Sequence, residues 1–170
     1  MQSTNIIFKK YGFNFKNRKK IKKLLNYYSQ LKLIKSFSKN YDYSFNKSKI
    51  IKYKKFDKYT IVGMGGSSLG IEAIYNFLKF KIKKKFVFKN NLSLKKNQYD
   101  KKSKNLNIII SKSGNTLETI TNFNNLESKK DNLFLCENSE NYLRILANKL
   151  KCEVIDHNNY IGGRYSVLSE

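Results

Sequence analysis

Residues 60–70, TIVGMGGSSLG, join a short apolar run to a glycine-rich turn. Beyond the turn, Ile71, Ile74 and Leu78 repeat at the spacing of one helix face. A buried strand that passes through glycines directly into a helix is typical of a parallel α/β sheet. This stretch therefore predicts the first strand and the first covering helix of such a fold.

The same alternation continues toward the C-terminus. Apolar and β-branched or aromatic runs predict further strands at residues 86–88, 106–110, 133–136 and 154–155. Helical spacing predicts helices over residues 117–123 and 143–150. We therefore predict an α/β fold, a three-layer sandwich in which helices flank a mostly parallel five-stranded sheet.

The part of the chain before this alternation is less regular. Ile21, Leu24 and Tyr28 predict one amphipathic helix on a Lys-rich background, and we expect its apolar face to pack on a larger body. Residues 39–58 show little periodicity and are interpreted as a connector. The predicted organisation is a helical or irregular segment over residues 1–57 and a sheet domain, incomplete at its C-terminus, over residues 58–170.

Composition restricts the class of protein. The chain has 170 residues, of which 40% are hydrophobic and 14% aromatic, so a disordered chain is excluded. No apolar run approaches the roughly 18 residues of a membrane span, and no secretory signal pattern is visible, which predicts a cytoplasmic protein without a membrane partner. Cys136 and Cys152 lie in no metal-ligand spacing, so we expect two reduced core cysteines and no metal site.

The net charge of +23 is the property that most suggests nucleic acid. However, 32 of the 35 basic residues are Lys and only three are Arg. Arg makes the bidentate contacts through which proteins recognise guanine and phosphate, so its scarcity argues against a specific nucleic-acid partner.

The glycine-rich turn, residues 63–70, is called the first loop below. Its glycines let backbone N–H groups approach an anion, the helix start adds a partial positive charge, and Ser67 and Ser68 add hydroxyl donors. A dinucleotide fingerprint needs glycine where Ser68 stands, and a Walker A loop needs Lys where Ile71 stands. The first loop therefore predicts a phosphate site of another kind, and a glycine turn without a ligand is the alternative that stays open.

A second loop of this type, residues 111–119 with the sequence SKSGNTLET, follows the third predicted strand. Helix capping would explain Ser113 or Asn115, but it would not explain all the polar side chains of the loop. In a doubly wound sheet, ligands bind beyond the carboxyl ends of the strands. We therefore expect strands one and three to be adjacent, so that both loops bind one phosphorylated ligand.

The third feature is the segment of residues 161–169, IGGRYSVLS. Gly162 and Gly163 permit close backbone approach to a ligand, and Arg164 is one of only three arginines in a Lys-rich chain. The sequence shows no base and no metal-ligand pattern at a matching spacing from His157, which precedes this segment, so we interpret it as an ordinary loop histidine.

In this order and spacing, TIVGMGGSSLG, SKSGNTLET and GGRYSVLS resemble the N-terminal sugar isomerase (SIS) domain of the glucose-6-phosphate isomerase family. The resemblance covers residues 59–170. It implies that Arg164 lies beside the reacting sugar carbons and acts in catalysis. It also implies that the substrate is bound by Gly66, Ser67, Ser111, Lys112, Ser113, Thr116 and Gly163.

The resemblance further implies an enzyme of glycolysis and gluconeogenesis that interconverts glucose 6-phosphate and fructose 6-phosphate. In this family the sugar ring opens, and a proton then moves between C1 and C2 through an enediol, without a metal or organic cofactor. The full-length proteins are homodimers. Arg164 would stabilise the developing enediolate oxygen.

The sequence departs from the family pattern in one respect. The family's catalytic base is a glutamate in a Gln-Gly-Glu segment, and its ring-opening histidine and lysine also come later; none of these occurs here. We therefore expect an N-terminal fragment that is inactive as an isomerase on its own. The alternative is a stand-alone phosphosugar-binding regulatory module, which needs no base but also has no need of Arg164.

Overall fold

The computed structural model describes residues 18–43, 45–92 and 103–162. Within these residues the apolar runs form five strands, each extending the predicted run by one to three residues. The strands are β1 (Lys58–Gly63), β2 (Lys85–Lys89), β3 (Asn105–Ile110), β4 (Asn132–Glu137) and β5 (Glu153–His157). They pair in the order β2-β1-β3-β4-β5, and every pair is parallel. The predicted α/β class and five-stranded sheet are confirmed.

The helices of the same residues lie before and between these strands. They are α1 (Arg18–Ser29), α2 (Lys32–Lys35), α3 (Lys47–Ile51), α4 (Gly66–Leu78), α5 (Leu117–Asn124) and α6 (Tyr142–Lys149). The helices predicted after β1, β3 and β4 are present at the expected places. None of the helices in the described ranges is long and apolar enough to cross a bilayer.

The helices cover opposite faces of the sheet. On one face, Phe123 of α5 and Leu143 of α6 pack in a core cluster with Phe134 of β4. On the other face, Tyr75 of α4 packs on Phe86 of β2, with ring centroids 5.0 Å apart. Since successive side chains of a strand point to alternate faces, the two clusters enclose the sheet as the middle of three layers.

The segment directly before β1 has more structure than predicted. Residues 39–58 are not merely a connector, because α3 continues into a 3₁₀ turn over Lys52–Lys55, and Phe56 is buried in a cluster with Leu106 and Leu133. Phe56 follows a single 3₁₀ turn and comes two residues before β1, so no helical spacing of apolar residues indicated its burial. The predicted domain boundary after residue 57 stays a prediction.

The amphipathic helix predicted around Leu24 is present as α1, but the predicted packing of its apolar face is not observed within the described residues. No residue of α1 is buried, and Leu25 is 63% exposed. Periodicity identifies an apolar face, and it carries no information about which surface covers that face.

Candidate functional site

The first and second loops begin side by side. Gly63, the last residue of β1, is the register partner of Ile110, the last residue of β3. The expected adjacency of strands one and three is confirmed. Since α4 and α5 cover opposite faces, the two loops diverge from neighbouring strand ends, which is the arrangement at the switch point of a doubly wound sheet. The space between these two loops is called the crevice below.

The first loop presents the start of α4 to this crevice. Its N-cap residue, Gly65, has φ 53° and makes no side-chain cap. Gly66 and Ser67 are the first two helical residues, and both are only partly buried. The first turn of α4 therefore keeps its partial positive charge without a side chain that neutralises it.

The second loop brings two predicted hydroxyl groups together. The Oγ of buried Ser111 lies 2.8 Å from the Oγ1 of Thr116. Thr116 is the N-cap residue of α5, yet its side chain makes no hydrogen bond to the first helical turn. The start of α5 is thus also left without a side-chain cap, and its first turn contains the acidic residue Glu118.

Ser113 and Asn115 have other roles than capping α5. Ser113 is exposed, and its Oγ accepts a hydrogen bond of 3.3 Å from the amide of Asn115. The Oδ1 of Asn115 accepts a hydrogen bond of 2.9 Å from the backbone amide of Tyr142, the first residue of α6. This contact could not be predicted from the sequence, because 27 residues separate the partners.

The ammonium group of Lys112 points to the segment that follows β5. Its Nζ donates a hydrogen bond of 2.6 Å to the carbonyl oxygen of Asn159. A Cβ on Gly162 would lie 2.7 Å from the Nζ of Lys112. The second loop therefore contacts the residues directly before Gly163 and Arg164, which themselves lie outside the described residues.

Arg144 is a structural residue that was not among the residues predicted to be important. Its Nη2 donates to the carbonyl oxygen of Glu137, at 3.0 Å, and to Asp156, at 2.6 Å. The hydrogen bond to Asp156 raises the pKa of Arg144. Arg144 thereby joins the ends of β4 and β5, a contact between separate elements that no local pattern indicates.

The remaining titratable candidates show no second reactive centre in the described ranges. The prediction of a loop histidine is wrong in its placement, because His157 is the last residue of β5, and its Nε2 lies 3.0 Å from the carbonyl oxygen of Ile161. Cys136 is buried, Cys152 is partly buried, and both are free. Burial raises the pKa of the Cys136 thiol, which makes it a poor nucleophile.

Residues 18–43, 45–92 and 103–162 contain no group of three or more His, Cys, Asp or Glu side chains that could hold a metal ion.

Comparison with known proteins gives two curated relatives. Both are called glucose-6-phosphate isomerase: one from Borreliella afzelii is 32% identical over 68% of this chain, and one from Borrelia garinii subsp. bavariensis is 35% identical over 59%. The matched parts are 25% and 21% of those proteins, so this chain spans about a quarter of their length. No protein-family model matches the sequence.

A solved structure shares the fold. The crystal structure of a hypothetical protein from Thermus thermophilus superposes with a TM-score of 0.61 and 21% sequence identity. The match covers 72% of this chain and 34% of that protein. At this identity the likeness supports the fold alone.

Proposed function

We propose that this chain, which belongs to the glucose-6-phosphate isomerase family, binds the phosphate of a hexose phosphate between its first and second loops. Its further proposed role is in the interconversion of glucose 6-phosphate and fructose 6-phosphate. The observation that carries the proposal is the pair of uncapped helix starts, α4 and α5, at the ends of neighbouring strands.

The electrostatics of the crevice favour an anion. Each helix start has an equivalent of roughly half a positive charge, and an anion placed there gains about 0.3–1 kcal/mol, or more where water is partly excluded. The start of α6 does not compete, because the amide of Tyr142 is bound by Asn115. A phosphate dianion that bridges α4 and α5 would use both dipoles at once, with the larger gain at α4, because Glu118 in the first turn of α5 offsets part of the positive charge there.

The proposed substrate-binding residues have distinct roles. Gly66 supplies a backbone donor, and Ser67 supplies a hydroxyl at the start of α4, since its own amide already donates to the carbonyl oxygen of Met64 at 3.1 Å. Ser111 and Thr116, which bond to each other here, would each turn a hydroxyl toward the phosphate. Ser113 lies on the exposed side of the second loop, and Lys112 adds positive charge to it.

The proposed chemistry concerns residues outside the described ranges. Arg164, with Gly163 shaping its segment, would stabilise the enediolate oxygen by a fixed positive charge. Proton transfer also needs a positioned base, and the Gln-Gly-Glu segment that the family resemblance implies is not among the 170 residues. We therefore expect this chain to bind hexose phosphate and to show no turnover by itself.

Calorimetric titration with fructose 6-phosphate and with fructose tests the phosphate site. Hydrogen bonds to a charged acceptor are worth about 1.5–3 kcal/mol each, so the double variant Ser111→Ala/Thr116→Val should bind fructose 6-phosphate at least about tenfold more weakly. The pair Ser29→Ala/Thr121→Val, which lies off both loops, is the control. Equal affinity for the sugar with and without phosphate would refute the site.

A regulatory module would use the same phosphate site, so a different ligand separates the two functions. A hexose-phosphate analogue with a carboxylate in place of C1 imitates the charge of the enediolate. An isomerase site should bind it at least about tenfold more tightly than fructose 6-phosphate, because the enzyme is complementary to the transition state. The variant Arg164→Met should remove that preference. A regulatory module would show neither effect.

A further inference from the structure

The start of α6 is bound by the second loop rather than by its own preceding residues alone. The amide of Tyr142 donates to Asn115 Oδ1 at 2.9 Å, and the amide of Leu143 donates to the carbonyl oxygen of Gly114 at 3.0 Å. The local N-cap residue, Asn141, accepts from the amide of Arg144 at 3.0 Å. Three successive first-turn amides of α6 are therefore satisfied, two of them by residues of the second loop, far earlier in the chain.

The loop rests on Asn141, a buried and fully hydrogen-bonded side chain. Asn141 is 4% exposed, and its Nδ2 donates to the carbonyl oxygens of Glu137 and Ser139 at 3.3 and 2.9 Å. Gly114 has φ 66°, and a Cβ on it would overlap the carboxamide of Asn141. The backbone of Gly114 can therefore lie flat against a side chain whose own polar atoms are all bonded.

We propose that Asn115 is a positioning residue for the anion site, which holds Ser111 and Thr116 in place by fastening the second loop to α6. This inference rests on the proposed function for its consequence, though the attachment itself is independent of any ligand. Asn115 immediately precedes Thr116, whose hydroxyl lies 2.8 Å from that of Ser111. A loop that is already ordered loses little conformational freedom when the ligand binds. The chain therefore binds the ligand more tightly than it would with a mobile loop.

Hydrogen exchange of the full 170-residue chain tests the attachment. In Asn115→Ala the bonds Leu143 N–H to Gly114 O and Gly114 N–H to Ser111 O keep both partners, so faster exchange of these amides reports opening of the loop. We expect an increase of about tenfold at both positions, since loss of one helix cap shifts local opening by an amount of that order. Amides of β1 and β3 should exchange at unchanged rates.

Two further variants separate positioning from general stability. Asn115→Asp keeps an acceptor at the start of α6 and should restore slow exchange. Asn125→Ala makes the same chemical change at an exposed residue beyond α5 and should leave these amides unaffected. Unchanged exchange at Gly114 and Leu143 in Asn115→Ala would overturn the inference.

The ligand measurement uses fructose 6-phosphate as the probe. Asn115→Ala should weaken its binding about threefold to tenfold, because part of the binding energy must then order the loop. An affinity equal to that of the unsubstituted chain would also overturn the inference. If the unsubstituted chain does not bind the probe, the proposed function fails, whereas the exchange result still decides whether Asn115 fastens the loop.

Discussion

Gly63 and Ile110 approach so closely that a Cβ on Gly63 would lie 3.0 Å from the Ile110 carbonyl oxygen. The same Cβ would lie 3.2 Å from the Cβ of Ser67. Because Gly63 has no side chain, the first loop can lie this close to the end of β3. The spacing of the two proposed phosphate-binding loops depends on it.

Gly63→Ala should move the first loop by a few tenths of an ångström and lower stability by about 1–3 kcal/mol, because backbone atoms cannot yield as a side chain can. We expect weaker binding of fructose 6-phosphate, measured by calorimetry after the unfolding midpoint is known. Ile61→Val on the same strand is the control, since it costs about 0.5–1.5 kcal/mol and leaves the loops in place. Weaker binding in both variants would mean that lost stability, and not loop spacing, is the cause.

The sheet and the position of the candidate site could be predicted because their signals are local. A run such as residues 106–110 specifies a buried strand by itself, and glycines directly after a strand indicate where a backbone must turn. Once the strands are parallel, their carboxyl ends share one edge, so the first and second loops could be assigned to one crevice.

The contacts that arrange the site could not be predicted, because they join distant residues. Nothing near Asn115 distinguishes an acceptor for α6 from a cap of α5.

A row of hydrogen-bonded asparagines in the sheet is a similar case. Asn107 donates to Asn132 at 2.9 Å, and Asn105 donates to Asn107 at 2.8 Å. Asparagine is normally an exposed residue, so its burial becomes visible only when the strands are paired.

Thr119 is expected to be a destabilising residue in the unliganded chain. Its Oγ1 is buried and has no hydrogen-bond partner within the described residues. Thr119→Val removes the hydroxyl at almost the same volume, so we expect the free energy of unfolding to rise by about 1 kcal/mol. Urea denaturation measures it, with Thr121→Val on the same helix as the control, expected to stay within about 0.5 kcal/mol. A loss of stability in Thr119→Val would show that the hydroxyl has a partner.

Glu153 should make the stability depend on acid pH. It accepts a hydrogen bond from Tyr53 and pairs with Lys52, and the hydrogen bond from Lys52 is the main cause that lowers the pKa of Glu153 below its usual 4.5. A carboxylate with a lowered pKa stabilises the fold above the unfolded-state value, and this contribution is lost as the pH falls through the folded-state value.

We therefore expect Glu153→Gln to unfold at lower urea concentration at pH 7, by the equivalent of about 1 kcal/mol. The difference from the unsubstituted chain should shrink steadily as the pH falls through and below about 4.5, where half of the unfolded carboxylates carry a proton. Asp42→Asn, at an exposed carboxylate in the N-terminal segment, is the control. A difference that is independent of pH between 7 and 3 would contradict the pairing.

Lys112 and Gly162 should be energetically coupled. The Lys112 ammonium donates to Asn159 at 2.6 Å, and a Cβ on Gly162 would lie 2.7 Å from both its Cδ and its Nζ. Because the end of a lysine side chain is flexible, Gly162→Ala should displace the ammonium and break its hydrogen bond without a large loss of packing. Lys112→Met breaks the same hydrogen bond and keeps most of the apolar stem.

If both substitutions act through one contact, the double variant should lose no more free energy of unfolding than the more destabilising single variant. The interaction energy in a double-mutant cycle of urea unfolding should then be at least about 0.5 kcal/mol. A cycle that replaces Lys112→Met with Lys149→Met, on α6, should be additive within about 0.3–0.5 kcal/mol. Additivity in the first cycle would show that Lys112 does not hold the segment that leads to Arg164, and the second loop would then bind its ligand independently of that segment.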